Sequence, residues 1–140
     1  MTLRPFEAAD YAAAVTLWNA AEGIGLGAGD SEREVHRFLE RNPGLSLVAT
    51  EDGQLVGAAL CGHDGRRGYV YHLAVRASHR RRGLGRELAR RCLDGLAAAG
   101  IRRAQVSVFA TNEGARAFWQ RLDGLPRPDL VVLSFPLAAA

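Results

Sequence analysis

The chain has 140 residues, enough for one domain, residues 1–140, with a substantial core. With 48% hydrophobic and 24% charged residues it has the composition of an ordinary soluble globular protein. No apolar run is long enough to span a bilayer, and MTLRPFEAADY lacks the basic and apolar regions of a signal peptide, so the expected location is cytoplasmic with no membrane partner.

Thr2 to Arg4 can form a short strand closed by Pro5. From Glu7 to Ala21, Tyr11, Ala14, Val15 and Trp18 recur at helical spacing, and GIGLGAG from Gly23 to Gly29 reads as a loop. Ser31 followed by Glu34 is a capping box, which predicts a second helix over Glu32 to Arg41, ended by Pro43-Gly44. Strands are expected at Leu45–Thr50 and Gln54–Cys61, joined through Glu51-Asp52-Gly53. His63-Asp64 falls in the turn HDGRRG, and YVYHLAV, Tyr69 to Val75, is the next strand. A helix is predicted from Gly83 to about Ala99, with Leu84, Leu88, Cys92 and Leu96 on one stripe and Gly100 at its end. Ile101–Phe109 reads as a strand, Asn112 as the cap of a helix to about Leu122, and Leu130–Phe135 as a last strand. This order implies an α/β sandwich with a mixed sheet, centred on the right-handed unit of strand 69–75, helix 83–99 and strand 101–109.

Cys61 and Cys92 stand in apolar surroundings and read as buried, inert thiols. No Cys/His spacing suggests a metal site, so no metal is expected. The charge is uneven. The formal net charge is +3, yet Arg76 to Arg91 alone carries a net +6, which leaves the remainder of the chain at −3. One anion-attracting surface therefore sits on a mildly acidic body.

At the centre of that surface lies SHRRRGLGREL, Ser78 to Leu88. A dinucleotide fingerprint, G-x-G-x-x-G, needs a third glycine, and here only Gly83 and Gly85 exist. Nucleic-acid binding calls for basic residues spread over a face with aromatics between them; this cluster is compact and has none, so no nucleic-acid partner is expected. A solvated basic face accounts for Arg90 and Arg91 but not for glycines at a helix start, where each costs about 1 kcal/mol relative to alanine. Glycine belongs there if another group must approach the backbone. The free N–H groups of a first helical turn, with arginines close by, make a seat for a diphosphate.

Arg80-x-x-Gly83-x-Gly85 after a strand ending HLAV, and Asn112-x-x-Ala115-x-x-Phe118-Trp119 followed by Leu122, together resemble the two motifs of the GNAT acyltransferase superfamily, in the right order and on the right elements. The resemblance implies a mixed, mostly antiparallel sheet with a splayed parallel strand pair and helices on both faces. It implies acetyl-CoA as cosubstrate. The backbone of Arg81, Arg82, Gly83, Leu84, Gly85 and Arg86, with the Arg80, Arg81 and Arg86 side chains nearby, would hold its diphosphate. Leu73, Ala74 and Val75 would line the pantetheine arm, and the Val75 N–H would be the oxyanion donor. Asn112 would bond the cofactor or cap its helix, or both. Ala115 belongs to the same motif, and Phe118 and Trp119 would wall the thioester pocket or serve as plain core aromatics.

The family's tyrosine acid is replaced here by Trp119, and indole has no useful proton to give, so that role is vacant or moved. By period-two alternation Tyr69, Tyr71 and Leu73 share one face, with His72 on the other unless a bulge intervenes. Tyr71 is a candidate acid or substrate contact, against a space-filling role under helix 83–99. His72 and Glu22 are candidate bases. The resemblance puts the acceptor near Trp18 to Asp30, where Glu22, Ile24 and Leu26 are candidate contacts and Glu22 and Asp30 could attract a cationic amine. The expected function is acetyl transfer from acetyl-CoA to a primary amine of a small molecule or protein, by direct attack on the thioester. An acyl-CoA-binding protein with little turnover is the alternative, and the reading admits a homodimer.

Overall fold

The hairpin signal at Glu51-Asp52-Gly53 is met in the computed structural model, which describes residues 1–138. Asp52 and Gly53 both take positive φ, 52° and 76°, as a two-residue type I′ turn requires. The turn joins β2 (Leu47–Glu51) to β3 (Gln54–His63). With β1 (Thr2–Pro5), β4 (Gly68–Val75) and β5 (Ala104–Gln105) they form one sheet in the order β1-β2-β3-β4-β5. The first four strands are antiparallel to their neighbours, and β4 and β5 are parallel. Met1 to Phe109, which contains the sheet, is one compact unit, and the chain from Ala110 is a second.

Alternation along the strands gives the sheet two apolar faces. Val48, Ala58, Leu60 and Ala74 pack with Trp18 and Leu17 of α1 (Tyr11–Ala20) and Val35 of α2 (Glu32–Arg41). Ala49 and Val56 face the other way, onto Leu84 and Leu88 of α3 (Leu84–Ala98). Each leucine of the α3 stripe contributes about 1.5–3 kcal/mol by leaving water. Gly57 lets α3 come close: a Cβ there would lie 3.0 Å from Leu88 Cδ1. The predicted caps also form. Glu34 N donates to Ser31 Oγ at 3.2 Å, and Gly100 takes φ 87° after α3.

Two expectations need correction. The strand expected over 101–109 pairs with β4 only at Gly68↔Ala104 and Tyr69↔Gln105. Beyond that the two strands splay apart, and Val108 and Phe109 are exposed. Leu130–Phe135 forms no strand. A strand persists only where a neighbour takes its backbone N–H and C=O groups, and the described residues record no such ladder for these segments. In the second unit, α4 (Glu113–Arg121) starts at its predicted cap, with Ala115 N donating to Asn112 Oδ1 at 3.0 Å.

Candidate active site

The mouth of α3 presents a run of free backbone donors. Arg81 and Gly83 take φ 63° and 78°, and such reversals turn successive N–H groups toward a common point. The N–H groups of Arg81, Arg82, Gly83, Leu84, Gly85 and Arg86 donate to no acceptor among the described residues; the first donor of the helix is Glu87 N, to Gly83 O at 3.0 Å. Gly83 is the residue at the N-cap, and nothing lies within 4 Å of a Cβ built there. Arg81, Arg82 and Arg86 are exposed and hold no ion pair among the described residues. Other arginines of the cluster are engaged: Arg76 with Gln54, Arg80 Nε with Val75 O at 3.1 Å, and Arg91 with Glu87.

Sequence reading missed what anchors this loop. His79 Nε2 lies 2.6 Å from Glu51 Oε2 and His79 Nδ1 lies 2.8 Å from Ser78 Oγ. These contacts tie the segment before the mouth of α3 to the β2–β3 hairpin. Arg76 N donates to Val56 O at 2.8 Å. Because successive amides of a strand alternate sides, Val75 N–H faces away from β3, toward the side where β4 and β5 part.

A bulge interrupts β4 upstream. Ala74 pairs with Ala58 and Tyr71 with Leu60, so His72 and Leu73 together oppose Ala59. His72 takes φ 53°, a conformation in which His is enriched among non-glycine residues. The strict alternation expected for Tyr71 and Leu73 therefore fails. Leu73 packs with Val75 on the α3 face. Tyr71 stays on the opposite face, edge-on to Phe38 of α2 with ring centroids 6.1 Å apart, so it does not fill space under α3. It stacks on Tyr69 at 5.8 Å and remains 41% exposed. Burial, then the neighbouring Tyr69 and Asp64, push its phenol above the ordinary tyrosine value, which keeps the proton on it.

The bulge turns His72 onto the α1 side. Its ring centroid is 5.1 Å from that of Trp18, and Trp18 Nε1 donates to His72 O at 2.7 Å. His72 Nε2 meets Asp30 Oδ1 at 2.8 Å, with the two side chains only 18% and 16% exposed. Asp30 is fixed in turn: its Oδ2 accepts from Gly27 N at 2.9 Å and its carbonyl from Tyr11 Oη at 2.6 Å. The glycine-rich loop is thus pinned at its end. A Cβ on Gly25 would lie 3.9 Å from Phe109 Cζ, so the loop also reaches the end of the splayed segment. Ile24 and Leu26 are half-buried against the α1-side core, whereas Glu22 is exposed.

In the second unit Phe118 and Trp119 are half-buried and meet edge to face at 5.1 Å. Asn112 fills its capping role, accepting from Ala115 N. In the HDGRRG turn, Asp64 Oδ1 accepts from Arg66 N and Arg67 N, the turn-forming role expected for it. Among the described residues no group of three or more His, Cys, Asp or Glu could hold a metal ion, and no helix is long and apolar enough to cross a membrane.

Known proteins resemble this chain over nearly its full length. The model of the acetyltransferase (GNAT) family matches residues 12–124. An acetyltransferase of Pectobacterium atrosepticum is 32% identical over 123 residues, 88% of this chain and 86% of its own. Among solved structures, an aminoglycoside 6′-N-acetyltransferase of Acinetobacter haemolyticus superposes with a TM-score of 0.75 at 20% identity, covering 99% of this chain and 100% of its own. The ribosomal-protein-S18-alanine N-acetyltransferase of Escherichia coli gives 0.68 at 23% identity, covering 86% and 75%.

Proposed function

The chain belongs to the GNAT acetyltransferase family, and from that premise we propose that it transfers acetyl from acetyl-CoA to a primary amine by direct attack on the thioester. The observation that carries the reading is the run of six unpaired amides from Arg81 to Arg86 at the mouth of α3. Peptide donors held in place before the ligand arrives cost no reorganisation, and the free Arg81, Arg82 and Arg86 guanidiniums add charge-assisted bonds. Acetyl-CoA fits such a seat and supplies an activated acetyl group when bound.

The roles of this chain's residues follow from their chemistry. Leu73 and Val75 offer main-chain groups on the splayed side of β4, as a sheet edge does to an added strand, while Ala74 between them pairs with Ala58 of β3. Val75 N–H is a donor for the thioester carbonyl oxygen; loss of one such donor typically costs about 10²–10³ in rate. His72 is the base for the incoming ammonium. Tyr71, whose phenol keeps its proton, is the candidate acid in place of the tyrosine that Trp119 replaces. Glu22 adds negative charge at the rim, and Ile24 and Leu26 stiffen the loop above.

The test pairs calorimetric binding of acetyl-CoA with release of free CoA across a panel of amines. The panel includes an aminoglycoside and a peptide with an N-terminal alanine, the acceptors for which the two structural neighbours are named. Binding together with release on at least one amine is expected. Binding with no release on any of them supports an acyl-CoA-binding protein instead.

A further inference from the structure

We propose that Asp30 is a positioning residue that fixes the tautomer of His72, so that Nδ1 is the atom that takes the proton from the ammonium group of the acceptor. This rests on the reading of the chain as an amine acetyltransferase.

A neutral imidazole has one N–H and one lone pair, and a carboxylate only accepts. With Nε2 at 2.8 Å from Asp30 Oδ1, the hydrogen belongs on Nε2 and the lone pair on Nδ1. Nδ1 makes no hydrogen bond among the described residues. Neither partner can turn freely. The His72 main chain is held by the bulge and by Trp18 Nε1, its ring lies against the indole, and Asp30 is held by Gly27 N and Tyr11 Oη. A left-handed φ at a non-glycine residue is strained and persists where the surroundings over-determine it.

The proton balance closes on these residues. The ammonium gives one proton to Nδ1 and becomes an amine with a free electron pair. His72 becomes an imidazolium donating through both nitrogens, Nε2 toward Asp30, and Nδ1 then returns its proton to solvent. The plain alternative is an ion pair that merely ties the loop to the sheet.

The carboxamide of Asp30→Asn separates the two. Its oxygen must face Gly27 N–H, a fixed donor, which leaves its NH2 group facing Nε2. That geometry drives the hydrogen to Nδ1 and removes the base. Asp30→Ala has no such group and lets both tautomers form. The proposal therefore orders kcat as wild type above Asp30→Ala above Asp30→Asn, with the last lower by about 10²–10⁴-fold, the usual worth of a general base, and KM for acetyl-CoA unchanged. Nitrogen-15 NMR of the His72 ring in the ligand-free protein is expected to show the Nε2–H form in the wild type and the Nδ1–H form in Asp30→Asn. A further variant, His72→Gln, keeps a donor for Asp30 but has no basic nitrogen; the proposal predicts lost turnover, and retained turnover overturns it.

A wild-type ring protonated on Nδ1, or Asp30→Ala impaired more than Asp30→Asn, also overturns it. The NMR result judges the tautomer lock independently of turnover. A wild type that releases CoA to no amine while showing the Nε2–H form would mean that the lock stands and the enzymatic reading, with the base role, fails.

Discussion

Replacing Gly83 tests the anion seat directly. Gly83 stands at φ 78°, ψ 7° with no heavy atom within 4 Å of a built Cβ, so a side chain meets strain but no clash. Left-handed backbone costs a non-glycine residue roughly 1–2 kcal/mol. That is a fraction of the 5–15 kcal/mol typical of a folded domain, so the fold survives. Gly83→Ala carries this strain alone. Gly83→Glu adds a carboxylate among the six free amides, where it competes for them and repels a diphosphate. The loss of two charge-assisted hydrogen bonds at about 1.5–3 kcal/mol each weakens binding by roughly 10²–10⁴-fold. The site is open to solvent, which screens the repulsion and favours the lower end of that range. Calorimetric titration with acetyl-CoA, beside thermal melts of both variants, should give near-normal affinity for Gly83→Ala and a loss of at least about 10²-fold for Gly83→Glu. Equal losses in the two variants would assign the effect to backbone strain, and wild-type affinity in Gly83→Glu would refute the seat.

Trp119→Tyr puts a phenol at the position that the motif resemblance assigns to the acid; a rise in CoA release would mean the step lacks one, and an unchanged rate would leave Tyr71 or solvent as the proton source. The stability of the N-terminal segment should depend on acid. Arg4 holds Asp10 through two hydrogen bonds, at 2.7 and 2.9 Å, and keeps its carboxyl below the ordinary value of 3.8. A depressed folded value means that the contribution is complete above that unfolded value and is lost as pH falls through the lower, folded one. Asp10→Asn should therefore lower the melting temperature at pH 7, by the equivalent of about 1–2 kcal/mol, and the gap to wild type should close in strong acid; a gap independent of pH would refute the assignment.

The features legible from sequence are those whose causes are local. Ser31 with Glu34, Asp52-Gly53 and Gly100 each act through their own backbone, and each forms where its chemistry predicts. The free amides at the mouth of α3 belong to the same class, because the glycines and the first turn of the helix are neighbours in sequence. Leu130–Phe135 shows the limit of such reasoning. Its residues favour a strand, yet Val131 and Val132 are 81% and 83% exposed, because strand propensity supplies no neighbour.

The acid–base part of the proposed site depends on register, which sequence does not display. One extra residue in β4 opposite Ala59 separates Tyr71 from Leu73 and turns His72 onto the α1 side. Since side chains alternate with period two, a one-residue change reassigns every position downstream of it. That is why period-two reading put Tyr71 and Leu73 on one face. Had the pairing been regular, His72 would stand on the α3 face, away from Trp18 and Asp30. The contact with Asp30, 42 residues away, exists only because the bulge and the pinned loop meet. The one local trace is the residue type, since His tolerates the left-handed backbone found at position 72 better than a β-branched residue would. Deleting one residue of the bulge is thus a harsher test of the base than any side-chain change. It should leave the amides at Arg81 to Arg86 and acetyl-CoA binding intact while turnover disappears.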